Sequence, residues 1–381
     1  MDRAVLIVCV AMVAALSSVV MAVDIETVPV GNVGNAGDVQ LQGTFGAVDY
    51  AYNIGKYEVT AGQYTEFLNA VASTDPYGLY NGSMDNYEWG CQITRHGDSG
   101  SYTYDFSGGT VEAPGSTAAN WENRPVSEVS WGDAARFANW LHNGQPTGTL
   151  TGDPAQDAGL TEDGAYFMDG ATSDAELLTI SREPDWKWVI PSEDEWYKAA
   201  HHKNDGVTGN YFDCPTSSDI QPGYVDNSGN LSGTGNPFTE GGTDPGNYAT
   251  WDGDGTTWDG SGGTTGIGSP YYHTEVGEWE NSDSPYGTFD QGGNVSEWNE
   301  AVIGGEGRGL RGGSFRSGVR ANYLRASYRY YDDPKSGEGF DFGFRVVQVP
   351  EPTTLSLLAL GVLAMLRRRK RGAKLTSTEK R

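Results

Sequence analysis

Val189-Ile190-Pro191-Ser192-Glu193-Asp194-Glu195-Trp196-Tyr197-Lys198-Ala199-Ala200 reads as a short extended lead-in to a capped helix. Ser192 is an N-cap residue and Glu195 stands three positions later, so each side chain can satisfy the other's free backbone N–H at the helix start. Trp196, Ala199 and Ala200 then share one side of that helix. The same arrangement recurs. Thr60 and Gln63 open a helix predicted over residues 60–71, with Tyr64, Phe67, Leu68 and Val71 on one face. Ser130 and Asp133 open another, with Ala134, Phe137, Ala138 and Leu141 as its apolar face and Gly144 just past its end.

Strand signals are sparser. Tyr50 to Val59 is aromatic and β-branched, and Phe340, Phe342, Phe344 and Val346 alternate with their neighbours as a half-buried strand would. From Asn204 to Gly287 the chain is mostly Gly, Asp, Asn, Ser and Thr punctuated by Trp and Tyr, a stretch that buried aromatics or metal must tie down. With 54 glycines and 12 % aromatics in 381 residues, the chain is too aromatic for disorder and too glycine-rich for a helical bundle. No internal boundary appears in residues 23–349, so an α+β single domain is expected there.

Formal net charge is −26. Without residues 1–22 and 367–381 there remain 16 Lys and Arg against 49 Asp and Glu, a net −33, which repels phosphate backbones and excludes nucleic-acid binding. Residues 1–22 read as a secretory signal: Arg3, an apolar run from Ala4 to Val20, then Val20-Met21-Ala22 as a small-residue cleavage site. Of the three cysteines, Cys9 leaves with that signal, and Cys91 and Cys214 form no Cys-x-x-Cys pattern. His96, His142, His201, His202 and His273 show no metal-ligand spacing and are expected in loops or at the surface.

At the other end, Val349-Pro350-Glu351-Pro352 precedes an apolar run from Leu355 to Leu366 and the cluster Arg367-Arg368-Arg369-Lys370-Arg371. Twelve residues of helix cover about 18 Å, short of a ~30 Å hydrocarbon core. The pattern resembles the PEP-CTERM sorting signal over residues 350–371. That resemblance implies an exosortase-type processing enzyme in a Gram-negative-type bacterium. It also implies transient anchoring by the short C-terminal membrane segment and delivery to the cell surface, outer envelope or extracellular matrix. Residues 372–381 extend past the basic cluster, where such tails usually stop.

Five blocks in order carry a second resemblance. They are Tyr52-Asn53-Ile54-Gly55-Lys56-Tyr57-Glu58-Val59-Thr60; Asn123-Arg124-Pro125-Val126 with Val129-Ser130-Trp131-Gly132-Asp133-Ala134; the Val189–Ala200 stretch; Gly293-Asn294-Val295-Ser296-Glu297-Trp298; and Arg311-Gly312-Gly313-Ser314-Phe315, closing with Gly343-Phe344-Arg345-Val346. Together they resemble the formylglycine-generating enzyme family, also called sulfatase-modifying factor domains. The fold implied is variant C-type-lectin-like: α+β, short mixed sheets, few helices and much irregular loop.

The resembling oxidases hold copper with two cysteines, five residues apart, just after Gly-Gly-Ser-aromatic. Counted onto this chain those positions are Ser317 and Asn322. Soft copper requires sulfur, so neither copper nor formylglycine-generating activity is expected. Calcium is the cofactor the resemblance implies. One site maps to the carbonyls of Gly292, Gly293 and Val295 with the Glu297 carboxylate; the other maps to Asn247, Tyr248 and Asp259, with Asp252 or Asp254 as alternatives for the last.

Arg308 to Arg345 carries eight basic residues against four acidic ones, half of the domain's positive charge. In the family this segment lines the substrate groove. Arg311, Phe315, Arg316, Arg320 and Arg325 would there form a floor for an extracellular polysaccharide, an acidic or sulfated glycan, or a peptide carboxylate. Alternatively, the arginines neutralise the domain's own carboxylates and stack in its core. The expected function is a non-enzymatic, calcium-stabilised binding or structural module; the rival is a divergent enzyme reusing the groove.

Overall fold

Thr60, Ser130 and Ser192 cap α1 (Ala61–Val71), α2 (Trp131–His142) and α3 (Glu193–His201), and each capping box has both of its bonds. Gly144 ends α2 at φ +83°, a left-handed turn that costs glycine nothing. The computed structural model describes residues 22–86, 90–107, 121–224, 246–251, 272–317 and 321–349. All of the signal segment but Ala22, the sorting segment from Pro350 onward, Asp252, Asp254, Asp259 and Arg320 lie outside the described residues.

The core is aromatic. Tyr64 and Phe67 of α1 meet Phe137 and Trp140 of α2 with ring centroids 5.3 to 6.0 Å apart. Among the described residues, besides two small hairpins (Asp38–Gln40 with Gly43–Phe45, and Thr94–His96 with Thr103–Asp105), eight strands form two four-stranded sheets: β1 (Thr27–Val30), β2 (Tyr52–Gly55), β3 (Trp188–Val189), β4 (Ser296–Ile303), β5 (Gly307–Arg311), β6 (Tyr330–Asp332), β7 (Phe342–Gly343) and β8 (Val347–Gln348). The first sheet runs β1-β2-β8-β3, all antiparallel. The second runs β6-β5-β4-β7, with β7 parallel to β4.

The alternating stretch from Phe340 to Val347 is not the single half-buried strand its pattern predicts. It is two short strands, β7 in one sheet and β8 in the other, and Gly343 to Val347 are all buried. The crossing puts both faces indoors, which removes the polar face that a period of two implies. Phe344 packs edge-on to Phe137 at 5.4 Å, while Arg345 reaches carbonyls of Gly55, Lys56 and Phe289.

Buried aromatics tie down the described parts of the glycine-rich region: Tyr248, Trp251 and Trp279 are 8 %, 1 % and 3 % exposed. His201, His202 and His273 are also buried, against expectation. His201 packs against Trp196 and Tyr197, and His202 lies nearly parallel to Tyr286. Burial, with Arg311 nearby, pushes His201 down to about 3, so it serves as a neutral core ring. Among the described residues, no helix is long and apolar enough to cross a membrane.

Candidate functional site

The Gly293-Asn294-Val295-Ser296-Glu297-Trp298 block is a tight loop running into β4. Gly293 has φ +84°, and a Cβ there would lie 2.3 Å from the Thr250 carbonyl, so only glycine fits. Asn294 ties three segments together: its side chain donates to Glu58 at 2.8 Å and accepts from Thr274 N–H at 3.1 Å, and its carbonyl accepts from Phe315 N–H at 2.9 Å.

Glu297 is fully buried. Arg345 grips it in a fork, Nε to Oε2 at 2.5 Å and Nη2 to Oε1 at 2.6 Å, and the Trp196 indole donates to Oε2 at 2.8 Å. Three of about four carboxylate lone-pair positions are thus filled, leaving one on Oε1. Two acids that the sequence reading passed over lie within electrostatic reach. Burial, then Asp290 and Glu297, hold Glu58 well above the usual carboxylate range. Burial likewise pushes Asp290 up to about 6, although Gly277 N–H and Arg345 oppose it. Glu58 lies in the first quoted block, on the strand-to-helix corner; an acid flanked by apolar residues there was the available signal. Among the described residues, no group of three or more His, Cys, Asp or Glu is placed to hold a metal.

At the second mapped site, the Asn247 side-chain oxygen accepts from Thr216 at 2.7 Å. Tyr248 stacks on Trp279 with ring centroids 5.5 Å apart. Asp259 falls outside the described residues.

Of the mapped groove arginines that are described, Arg311 is turned inward and Arg316 and Arg325 are half-buried. Arg311 is buried, donates to Glu193 at 2.7 and 2.9 Å, and packs over Phe45 and Tyr197. Arg329 shares Glu193 with it, and Arg325 pairs with Asp213 at 2.9 Å. Phe315 is fully buried among Tyr272, His273 and Phe340, so it belongs to the core and not to a groove floor. Arg316 lies over Phe340 at 4.4 Å and draws the Asp341 carboxyl down against the larger upward push of burial.

A cavity of about 340 Å³ opens at Ser317, one of the two mapped cysteine positions, lined also by Ser314, Arg311, Arg316, Asp341 and an aromatic wall; Asn322 does not line it. Ser317 is 5 % exposed and its hydroxyl accepts from Ser314 N–H at 2.8 Å. Gly313, at φ +68°, has no room for a Cβ, which would sit 2.7 Å from that hydroxyl. Ser314 Oγ donates to Asp341 at 2.7 Å. Asn322 is exposed on the Ala321–Leu324 turn. Cys91 and Cys214 are both buried and free, so the described chain offers no thiol pair. A larger recess of about 980 Å³ lies along α1 and the N-terminal segment, lined by Asp24, Glu26, Glu66 and Glu122 and reaching Glu58. None of the mapped site residues lines it.

Residues 46–350 match the sulfatase-modifying factor enzyme 1-like domain, and residues 348–371 match the PEP-CTERM protein-sorting motif. The chain belongs to the sulfatase-modifying factor enzyme 1-like family and has the α+β, variant C-type-lectin-like fold expected of it. Its C-terminal motif implies export, exosortase processing and envelope association in a bacterium.

Among solved structures the chain is similar to Treponema denticola variable protein 1 at 21 % identity and a TM-score of 0.47, covering 87 % of this chain and 97 % of that one. It is also similar to CarF, at 21 % identity, a TM-score of 0.43 and coverage of 86 % and 99 %. PvdO from Pseudomonas aeruginosa matches at 15 % identity, a TM-score of 0.39 and coverage of 85 % and 92 %. No curated protein matches.

Proposed function

We propose that this chain is an exported recognition module that retains the sulfatase-modifying factor scaffold without copper oxidase chemistry. It binds an extracellular polymer or peptide in the cavity above Ser317. One observation carries the reading: a ligand-sized cavity opens at Ser317, yet Ser317 is a buried hydroxyl bonded to its own loop and Asn322 is exposed and outside the lining. The sorting motif supports delivery to the cell surface or matrix.

Calcium is the cofactor proposed for the Gly292–Glu297 loop, held by the carbonyls of Gly292, Gly293 and Val295 and by Glu297, with Glu58 as a further carboxylate. Charge supports it. Burial first, and then mutual repulsion, raises Glu58 and Asp290 beside Glu297, with Arg345 as the opposing charge, and a divalent cation would offset the negative charge gathered there. The acidic recess that reaches Glu58 offers a route in.

The test is a thermal-shift screen of the purified protein against peptides and extracellular polysaccharides, run with calcium and with excess chelator. A ligand-induced rise in Tm is expected, together with a fall on chelation of about 2.7 kcal/mol where calcium had stood at 100 Kd. No ligand in the whole screen would sink the recognition reading. Copper-dependent oxidation of a cysteine peptide would replace it with the enzyme.

A further inference from the structure

Tyr323, Tyr328, Tyr330 and Phe342 set four aromatic rings around the cavity above Ser317. Tyr323 and Tyr328 meet edge-on with centroids 4.5 Å apart, which fixes both rings before a ligand arrives. Tyr330 is 44 % exposed, and its ring runs on to that of Tyr331, 38 % exposed, at 6.3 Å and within 28° of parallel. Both belong to β6, the edge strand of its sheet, so the aromatic surface starts inside the cavity and continues outward past its rim.

The polar groups are few and close to electrically balanced. Arg311 is committed to Glu193. Arg316 faces Asp341 electrostatically, and Ser314 and Ser317 contribute hydroxyls. Among the described residues, the two guanidinium groups lining the cavity, those of Arg311 and Arg316, each face a carboxylate, with Arg311 sharing Glu193 with Arg329, in a chain whose formal charge is −26.

We infer that the cavity binds an uncharged pyranose polysaccharide, a conclusion that rests on the recognition reading above and names its ligand class. The C–H face of a sugar ring lies well on a tyrosine ring, while ring hydroxyls pair with planar carboxylate and guanidinium groups that accept or donate two bonds each. Tyr330 and Tyr331 extend the surface beyond a single ring, which suits a chain better than a monosaccharide. A sulfated or uronic polymer would meet no guanidinium without a facing carboxylate among the described lining residues, and a strongly negative domain around it.

The experiment is calorimetric titration of the purified protein with neutral glucan and mannan hexasaccharides, with polygalacturonate and with heparin fragments, at low salt and at about 0.5 M salt, where charge attraction is largely screened. Neutral sugars should bind and salt should leave that binding unchanged. Tyr330→Ala, which removes an exposed ring, should weaken it about tenfold and Tyr331→Ala about threefold, as loss of aromatic anchors does, with unchanged unfolding curves. Binding of heparin or polygalacturonate alone, abolished by salt, would overturn the neutral class and leave the recognition reading standing. Neutral-sugar binding indifferent to Tyr330→Ala would place the sugar elsewhere and overturn the inference. A protein that binds peptides but no sugar overturns the inference alone; one that binds nothing overturns both readings.

Discussion

The Glu297–Arg345 centre and the Ser317 cavity are built from the same C-terminal stretch and have opposite character. At the first, both side chains are fully buried, and every guanidinium nitrogen of Arg345 has an acceptor. At the second, an open cavity of about 340 Å³ keeps exposed tyrosines at its rim and an unclosed set of hydroxyls. The first welds β4 to the segment crossing between the sheets, and removing any member would leave a buried charge. The second hangs on a loop shaped by Gly312 and Gly313, at φ +91° and +68°, which sends Phe315 into the core and leaves Arg316 half-buried at the cavity. Of the two mapped cysteine positions only Asn322, which is exposed, is free of such ties to the fold, whereas the ion pair beneath is locked.

The sharpest way to break that contrast is Arg345→Ala. It strands the Glu297 carboxylate and should cost about 3–5 kcal/mol in urea unfolding. The double change Glu297→Gln with Arg345→Met should recover a good part of it, because neither member of the pair then leaves the other as a buried unpaired charge. If Arg345→Ala costs under about 1 kcal/mol, the centre is not the lock described here.

Acid–base behaviour gives a smaller effect. Glu128 is 6 % exposed, and burial, then Glu338 and Asp341, push it from 4.5 up to about 7. The folded state therefore holds its proton more tightly than the unfolded chain. That contribution is complete below the ordinary carboxyl range and is lost as pH rises to about 7, by about 3 kcal/mol in all. Asp290 works in the same direction, to about 6. Unfolding followed across this range should show stability falling with pH, and Glu128→Gln should flatten the slope; a rising profile would contradict the burial described.

The long helices were legible because capping boxes and apolar faces are local: Ser192 with Glu195 suffices to place α3, whatever surrounds it. The resemblance located the loop that ends in Glu297, but not its partners. Nothing local says that Arg345 closes on Glu297, 48 residues away, or that Glu58 arrives from 237 residues away to receive Val295 N–H. The strand pattern from Phe340 to Val347 misled because period-two reading assumes one wet face, and from Gly343 to Val347 there is none. The segment's positive charge was legible as a sum. Only the fold separates Arg311, inside with Glu193, from Arg316 at the cavity.

The finest distinction lies between the two mapped cysteine positions themselves. Ser317→Ala removes the acceptor of Ser314 N–H in a buried loop and should cost about 1 kcal/mol. Asn322 is exposed, and Asn322→Ala should fall within about 0.5 kcal/mol of the parent. Urea midpoints at constant slope measure both. A shared catalytic past would set no such asymmetry: two ligands of one metal are equally tied to it, and both would be held by their surroundings. Here one position has become part of the loop's own hydrogen bonding while the other faces solvent. Equal costs at the two positions would mean that Asn322 is also anchored, and would reopen the case for a site that uses the pair.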